Sequence, residues 1–148
     1  MSLGGYTSAT LAPVTATYAG YVATTYTDQY KYVLLTLGVN DTLGGLPVEA
    51  TFKTDYAKVL DDIHSALPAA TVLVALPWAR DRTADCATVS GWIADVISTR
   101  ADFAAVAIDE AVLIENGDNG VTYTDDGVHP NAAGIAVLAP AWKTAMGY

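Results

Sequence analysis

The stretch Tyr32-Val33-Leu34-Leu35-Thr36-Leu37-Gly38-Val39-Asn40-Asp41 decides the fold. Its first six residues form an apolar run with β-branched and aromatic members, and Gly38 allows a sharp exit. Val33, Leu35 and Leu37 fall on one face of such a strand, with Tyr32, Leu34 and Thr36 on the other. Both faces suit burial, as a parallel strand between helical layers requires. Two further runs repeat the pattern, Thr71–Leu76 and Phe103–Ile108.

Helical spacing fills the intervals. Phe52, Tyr56, Val59, Leu60, Ile63 and Leu67 recur at steps of three and four between the first two strands. Pro68 predicts where that helix stops, because the residue before a proline leaves the helical region. Val89, Trp92, Ile93, Val96 and Ile97 draw a second stripe. Leu11, Val14, Tyr18 and Tyr21 or Val22 predict a helix before the first strand. Ile135, Leu138, Trp142 and Met146 predict one at the end, with a kink or early break at Pro140. Strand and helix alternate, so the expectation is an α/β protein, a three-layer α/β/α sandwich with a parallel sheet and right-handed crossovers. Chemistry in such sheets sits beyond the carboxyl ends of the strands.

Composition narrows the function. Seven Lys and Arg against sixteen Asp and Glu give a net charge of −9, which repels a phosphate backbone, and nucleic acid is excluded as a partner. No apolar run is long enough to span a bilayer. No basic-then-apolar leader is visible, which leaves the localisation unknown, secreted and cytoplasmic being equally compatible. The single cysteine, Cys86, makes no internal disulfide, and two histidines without a Cys/His cluster predict no metal site. Asp118-Asn119-Gly120 has the look of a turn and lacks the ligand spacing of a calcium loop.

Two constellations carry chemistry. Gly38-Val39-Asn40-Asp41 places an amide N–H donor after the first strand, although the same residues also suit an ordinary turn. Asp126-Gly127-Val128-His129-Pro130-Asn131 precedes the last helix. An Asp three residues from a His can accept the imidazole N–H and leave the other nitrogen as a base; the same Asp also suits a capping loop. Pro130 fits a helix's first turn and puts His129 at the helix entrance. Trp78, after the second strand, fits either a cleft wall or core packing. Several early tyrosines, Tyr18, Tyr21, Tyr26, Tyr30 and Tyr32, suit a packing layer.

Together, Gly-x-Asn-Asp after a parallel strand and Asp-x-x-His-Pro before the last helix resemble two sequence blocks of the SGNH (GDSL-like) ester hydrolases. Gly4-Gly5-Tyr6-Thr7-Ser8, leading into a helix, is similar to a third. The resemblance implies a flavodoxin-like SGNH hydrolase fold, with His129 as general base and Asp126 as its orienting partner. It also implies that the Asn40 side chain and the backbone of Gly5 (or its neighbour Gly4) are oxyanion donors. Apart from the resemblance, Trp78 and Asp41 are candidate substrate-cleft residues, because they follow strand ends. No cofactor is implied. The substrates it implies are small acyl esters, including acylated carbohydrates, or lipids.

The family's Gly-Asp-Ser block, which carries the nucleophile, is missing. Ser8 is the only serine near a family block, and there it opens a helix instead of following a strand. Ser65, Ser90 and Ser98 fall on helices. Residues 1–148 are therefore expected to form one SGNH-like domain that is N-terminally incomplete and lacks its first strands. The Tyr32–Leu37 edge is expected to be covered by an N-terminal segment, a second copy or a companion chain. The contrasting expectation is a non-catalytic binding or assembly domain that keeps the fold. A flavodoxin-like cofactor binder would need a phosphate loop after the first strand, and none is present.

Overall fold

Three strands form one parallel sheet in the order β1-β2-β3 in the computed structural model, which describes residues 6–25, 30–100, 105–114 and 119–148. They are β1 (Tyr32–Thr36), β2 (Thr71–Leu76) and β3 (Ala105–Asp109). Tyr32 lies opposite Thr71, and Val72 opposite Ala105. The third strand ends one residue later than the sequence suggests, and Phe103 lies outside the described residues.

Among the described residues six helices surround the sheet: α1 (Ser8–Leu11), α2 (Thr15–Thr25), α3 (Glu49–Ala66), α4 (Thr83–Ser98), α5 (Glu110–Ile114) and α6 (Ala132–Ala145). The single helix expected before β1 is split between α1 and α2. Pro13 explains the break, since its ring removes an N–H and clashes with the preceding turn. At the other end of the chain the proline has no such effect. Pro140 lies inside α6, and the helix continues to Ala145 instead of breaking. Pro140 is exposed, so α6 gives up one backbone bond on its solvent side while Leu138 stays buried.

The core divides by sheet face. Val33, Leu35 and Leu37 of the first strand and its exit join Val72 and Val74 of β2 beneath Phe52, Tyr56, Val59 and Leu60 of α3. Val89, Ile93 and Val96 of α4 complete that layer. Each such side chain withdrawn from water contributes roughly 1.5–3 kcal/mol. Arg100, just beyond α4, binds Asp61 of α3 through two parallel bonds of 2.8 and 3.0 Å. On the opposite face α6 covers β3, and Trp78, Ile114 and Leu138 pack with Trp142. The Tyr32 hydroxyl donates to the Met146 carbonyl, which ties the end of α6 to the start of β1.

β1 departs from the expected burial on both faces. Leu35 is buried, whereas Leu34 is 57% exposed and Thr36 is also open. The reason is positional: β1 is the sheet's edge among the described residues, and α6 meets it at Tyr32 and leaves Leu34 and Thr36 uncovered.

Candidate active site

Gly38 turns the chain out of β1 with φ at +121°, and a Cβ there would stand 3.1 Å from the Pro77 ring and 3.3 Å from Val89. Only glycine gives both the conformation and the clearance. The turn delivers Asn40 to the start of a short 3-10 segment, Asn40–Thr42. The Asn40 amide Nδ2 donates to the Tyr6 carbonyl at 3.2 Å, fixing the side chain against the segment that precedes α1.

Asp41 holds the start of α1. Its carboxylate accepts the Ser8 backbone N–H at 3.0 and 3.1 Å and the Ser8 hydroxyl at 2.5 Å. Burial pushes the Asp41 carboxyl above its ordinary range, against the downward pull of the Ser8 hydroxyl and backbone N–H. Asp41 thus tethers the Tyr6–Ser8 segment to the end of β1 and does not line the cleft. Gly5 lies outside the described residues. Ser8 is 1% exposed, with its hydroxyl committed to Asp41.

The second constellation forms a tight turn. Asp126 Oδ1 accepts the backbone N–H groups of Val128 (2.9 Å) and His129 (2.8 Å). Its Oδ2 lies 2.7 Å from His129 Nδ1. These donors, the His129 backbone N–H first, hold the Asp126 carboxyl well below the usual carboxylate range. An ionised carboxylate has no proton to give, so Nδ1 is the donor of this bond, and in a neutral ring Nε2 is the nitrogen with the free lone pair. The His129 side chain is 82% exposed and stands at the rim. Asn131, not Pro130, opens the helix: its side chain accepts the Gly134 N–H at 3.0 Å as the N-cap of α6. Asn131 Nδ2 also donates to the Thr122 carbonyl at 3.0 Å, so the cap fixes the preceding loop as well.

Asn40, His129, Trp78 and Pro77 line one cleft of about 670 Å³ beyond the carboxyl ends of the strands. Trp78 forms its wall while being 4% exposed, so it serves core and cleft together. The cleft also continues along β1 past Leu34, Leu35 and Thr36. Three lining groups were not singled out from the sequence: Tyr6, Arg82 and Glu110. Arg82 sends Nη1 to the Val39 carbonyl at 3.4 Å and to the Thr42 hydroxyl at 3.3 Å, bracing the turn that carries Asn40. Burial raises the Glu110 carboxyl, while a bond from Trp142 lowers it. The signal for Arg82 and Glu110 was their place shortly after β2 and β3, where this sheet type puts its chemistry.

A parallel sheet between helical layers thus carries, beyond its strand ends, one cleft that brings together the Asn40 amide and His129, the latter paired with Asp126. The chain belongs to the GDSL-like lipase/acylhydrolase family, whose family model matches residues 1–137. It is thus a member of an ester-hydrolase family. Solved structures share its fold. A carbohydrate esterase family 3 protein from Talaromyces cellulolyticus superposes with a TM-score of 0.72 at 22% identity, covering 97% of this chain and 70% of that one. An acetyl esterase, solved as a serine-to-alanine mutant with acetate ion, gives 0.70 at 23% identity, covering 95% and 68%. A GDSL-like lipase from Bacteroides thetaiotaomicron gives 0.70 at 16% identity, covering 97% and 72%. No curated protein matches the chain in sequence.

Proposed function

We propose that this chain forms the oxyanion and general-base half of an ester hydrolase that works by serine-type acyl transfer. The observation that carries the reading is that Asn40 and the His129–Asp126 pair stand around one cleft at the strand ends. His129 Nε2 takes the proton of an attacking hydroxyl, and Asp126 holds the ring and balances the imidazolium charge. The Asn40 amide and the Gly5 backbone N–H stabilise the oxyanion. Each such donor contributes about 3 kcal/mol to lowering the barrier.

The nucleophile comes from outside the described cleft. Ser8 is buried and bonded to Asp41, and the cleft lining contains no serine or cysteine among the described residues. A serine on a strand seated along the outer edge of β1 would arrive beside Asn40 and His129, because the cleft runs along that edge. We assign that strand to a segment N-terminal to these residues. Small acyl esters, acetylated carbohydrates foremost, are the substrate class, in line with the esterase neighbours.

The test compares this chain with a form extended by its upstream coding sequence, using an aryl acetate. Turnover is expected in the extended form alone. There His129→Ala should cut the rate by orders of magnitude, since serine without a base is a weak nucleophile. Asn40→Ala should cost roughly a hundredfold or more in turnover. Wild-type rates in both variants would remove the assigned roles. The second reading, a non-catalytic domain that keeps the fold, rests on the absence of a serine from the described cleft lining. An extended form with a Gly-Asp-Ser strand and no turnover would favour it.

A further inference from the structure

The loop from Asn119 to Pro130 carries Asp126 and His129, yet it belongs to no helix or named strand. Its own N–H groups serve the Gly120 and His129 carbonyls, and other carbonyls take donors from outside the loop. Asn131 serves those of Thr122 and Tyr123, and Arg80 reaches three others. Arg80 Nε donates to the Asn119 carbonyl at 3.0 Å, and Nη2 donates to the Gly120 carbonyl at 2.9 Å and the Thr124 hydroxyl at 2.8 Å. The Arg80 backbone N–H donates to the Gly127 carbonyl at 2.7 Å. Gly127, between Asp126 and Val128, has φ at +86°, and a Cβ there would lie 3.1 Å from Arg80 Cβ. The turn holding Asp126 and His129 is thus folded directly over Arg80.

The clamp reaches His129 by a short path. Thr124 is buried and pairs with Pro130 in an isolated bridge, and the Asp125 N–H donates to the His129 carbonyl at 3.4 Å. Asn119 sits at φ +54°, a conformation that side chains other than glycine adopt rarely and that needs holding in place. Its side chain returns to the Arg80 carbonyl at 3.5 Å, so the two residues grip each other. In a chain of net charge −9, with Asp81 beside it, this guanidinium is directed at neutral loop oxygens. A planar fork is suited to that task, and a lysine ammonium is not.

We propose that Arg80 is a positioning residue, whose fork fixes the Asn119–Pro130 loop to the end of β2 and so sets where His129 stands and how its ring is held. The inference rests on the reading of His129 as the base, and it is tested without turnover. The protein is labelled with nitrogen-15, and long-range correlations from the ring carbon protons report which imidazole nitrogen carries the hydrogen at a pH where the ring is neutral. His64, the other of the two histidines, is the internal reference. In the wild type His129 is expected in the Nδ1–H form dictated by Asp126. Arg80→Met is expected to lose that form as the dominant one, as Asp126→Ala does, with the far-ultraviolet dichroism and the His64 signals unchanged. A merely structural role would lower the melting temperature and leave the tautomer of the folded protein intact. Should Arg80→Met fail to fold, Arg80→Lys keeps the aliphatic stem and the backbone bond to Gly127 and is scored the same way. A folded variant that keeps His129 in the Nδ1–H form overturns the proposal while leaving the base assignment in place. A wild-type ring without that form overturns the His129–Asp126 pairing, and the role of Arg80 with it.

Discussion

At the residue scale, the site is held partly by side chains that are missing. A Cβ on Gly120 would lie 2.2 Å from Trp78 Cη2, at a φ of +69°. A Cβ on Gly134 would lie 2.2 Å from the Tyr123 carbonyl oxygen, which is backbone and cannot swing aside. Gly120→Ala and Gly134→Ala are therefore each expected to destabilise the fold by about 1–3 kcal/mol, the range for overpacking. Gly91 makes the contrast. It lies inside α4 with nothing within 4 Å of its would-be Cβ, so Gly91→Ala should stabilise by roughly 0.5–1 kcal/mol. Thermal melts of the three variants check this, and a uniform sign across them would contradict it.

Charge at this scale works in two directions. The folded state depresses the Asp126 carboxyl, so its contribution is present above the ordinary carboxylate value of 3.8 and is lost as pH falls toward the lower folded value. The folded state raises Asp41, so its ionisation weakens the fold as pH climbs from 3.8 through its folded value. A carbon-13 titration of the side-chain carboxyls should find Asp126 below and Asp41 above the ordinary range. The reverse order would show that the turn at His129 or the tether at Ser8 is misplaced.

At the scale of elements, legibility followed the kind of interaction. β1, β2 and α3 could be read because burial imposes a periodic pattern, and Leu35, Val74 and Leu60 obey it. The spacing of Asp126 and His129 could be read because three residues on one turn meet locally. The Pro13 break and the passage of α6 through Pro140 could not, because a proline's effect depends on whether the lost bond faces water or core. Arg80 was invisible for another reason. Its partners are the carbonyls of Asn119 and Gly120, which every residue type possesses, so no letter marks them. Asp41 looked like a cleft residue from its place beside Asn40. Its carboxylate instead meets Ser8, a partner far away in the sequence that adjacency to Asn40 does not reveal.

At the scale of the whole molecule, β1 is an edge of the sheet among the described residues, with an apolar side chain in water. Leu34 is 57% exposed, and the cleft beside it is lined further by Leu11, Leu35 and Leu37. The outward N–H and C=O groups of such a strand are a template for another strand. We therefore expect this chain to associate with itself at micromolar concentration through β1, and to stop doing so when the N-terminal strand proposed above occupies the edge. Charges on edge strands are the usual means of blocking such pairing. Leu34→Lys places one there at a position whose exposure makes the change nearly neutral for the fold, within about 0.5 kcal/mol. Light scattering across a dilution series should show association of the wild type and its loss in Leu34→Lys, with the melting temperature of the dilute protein unchanged. A wild type that stays monomeric throughout, or a variant that associates equally well, would place the sticky surface elsewhere than on β1.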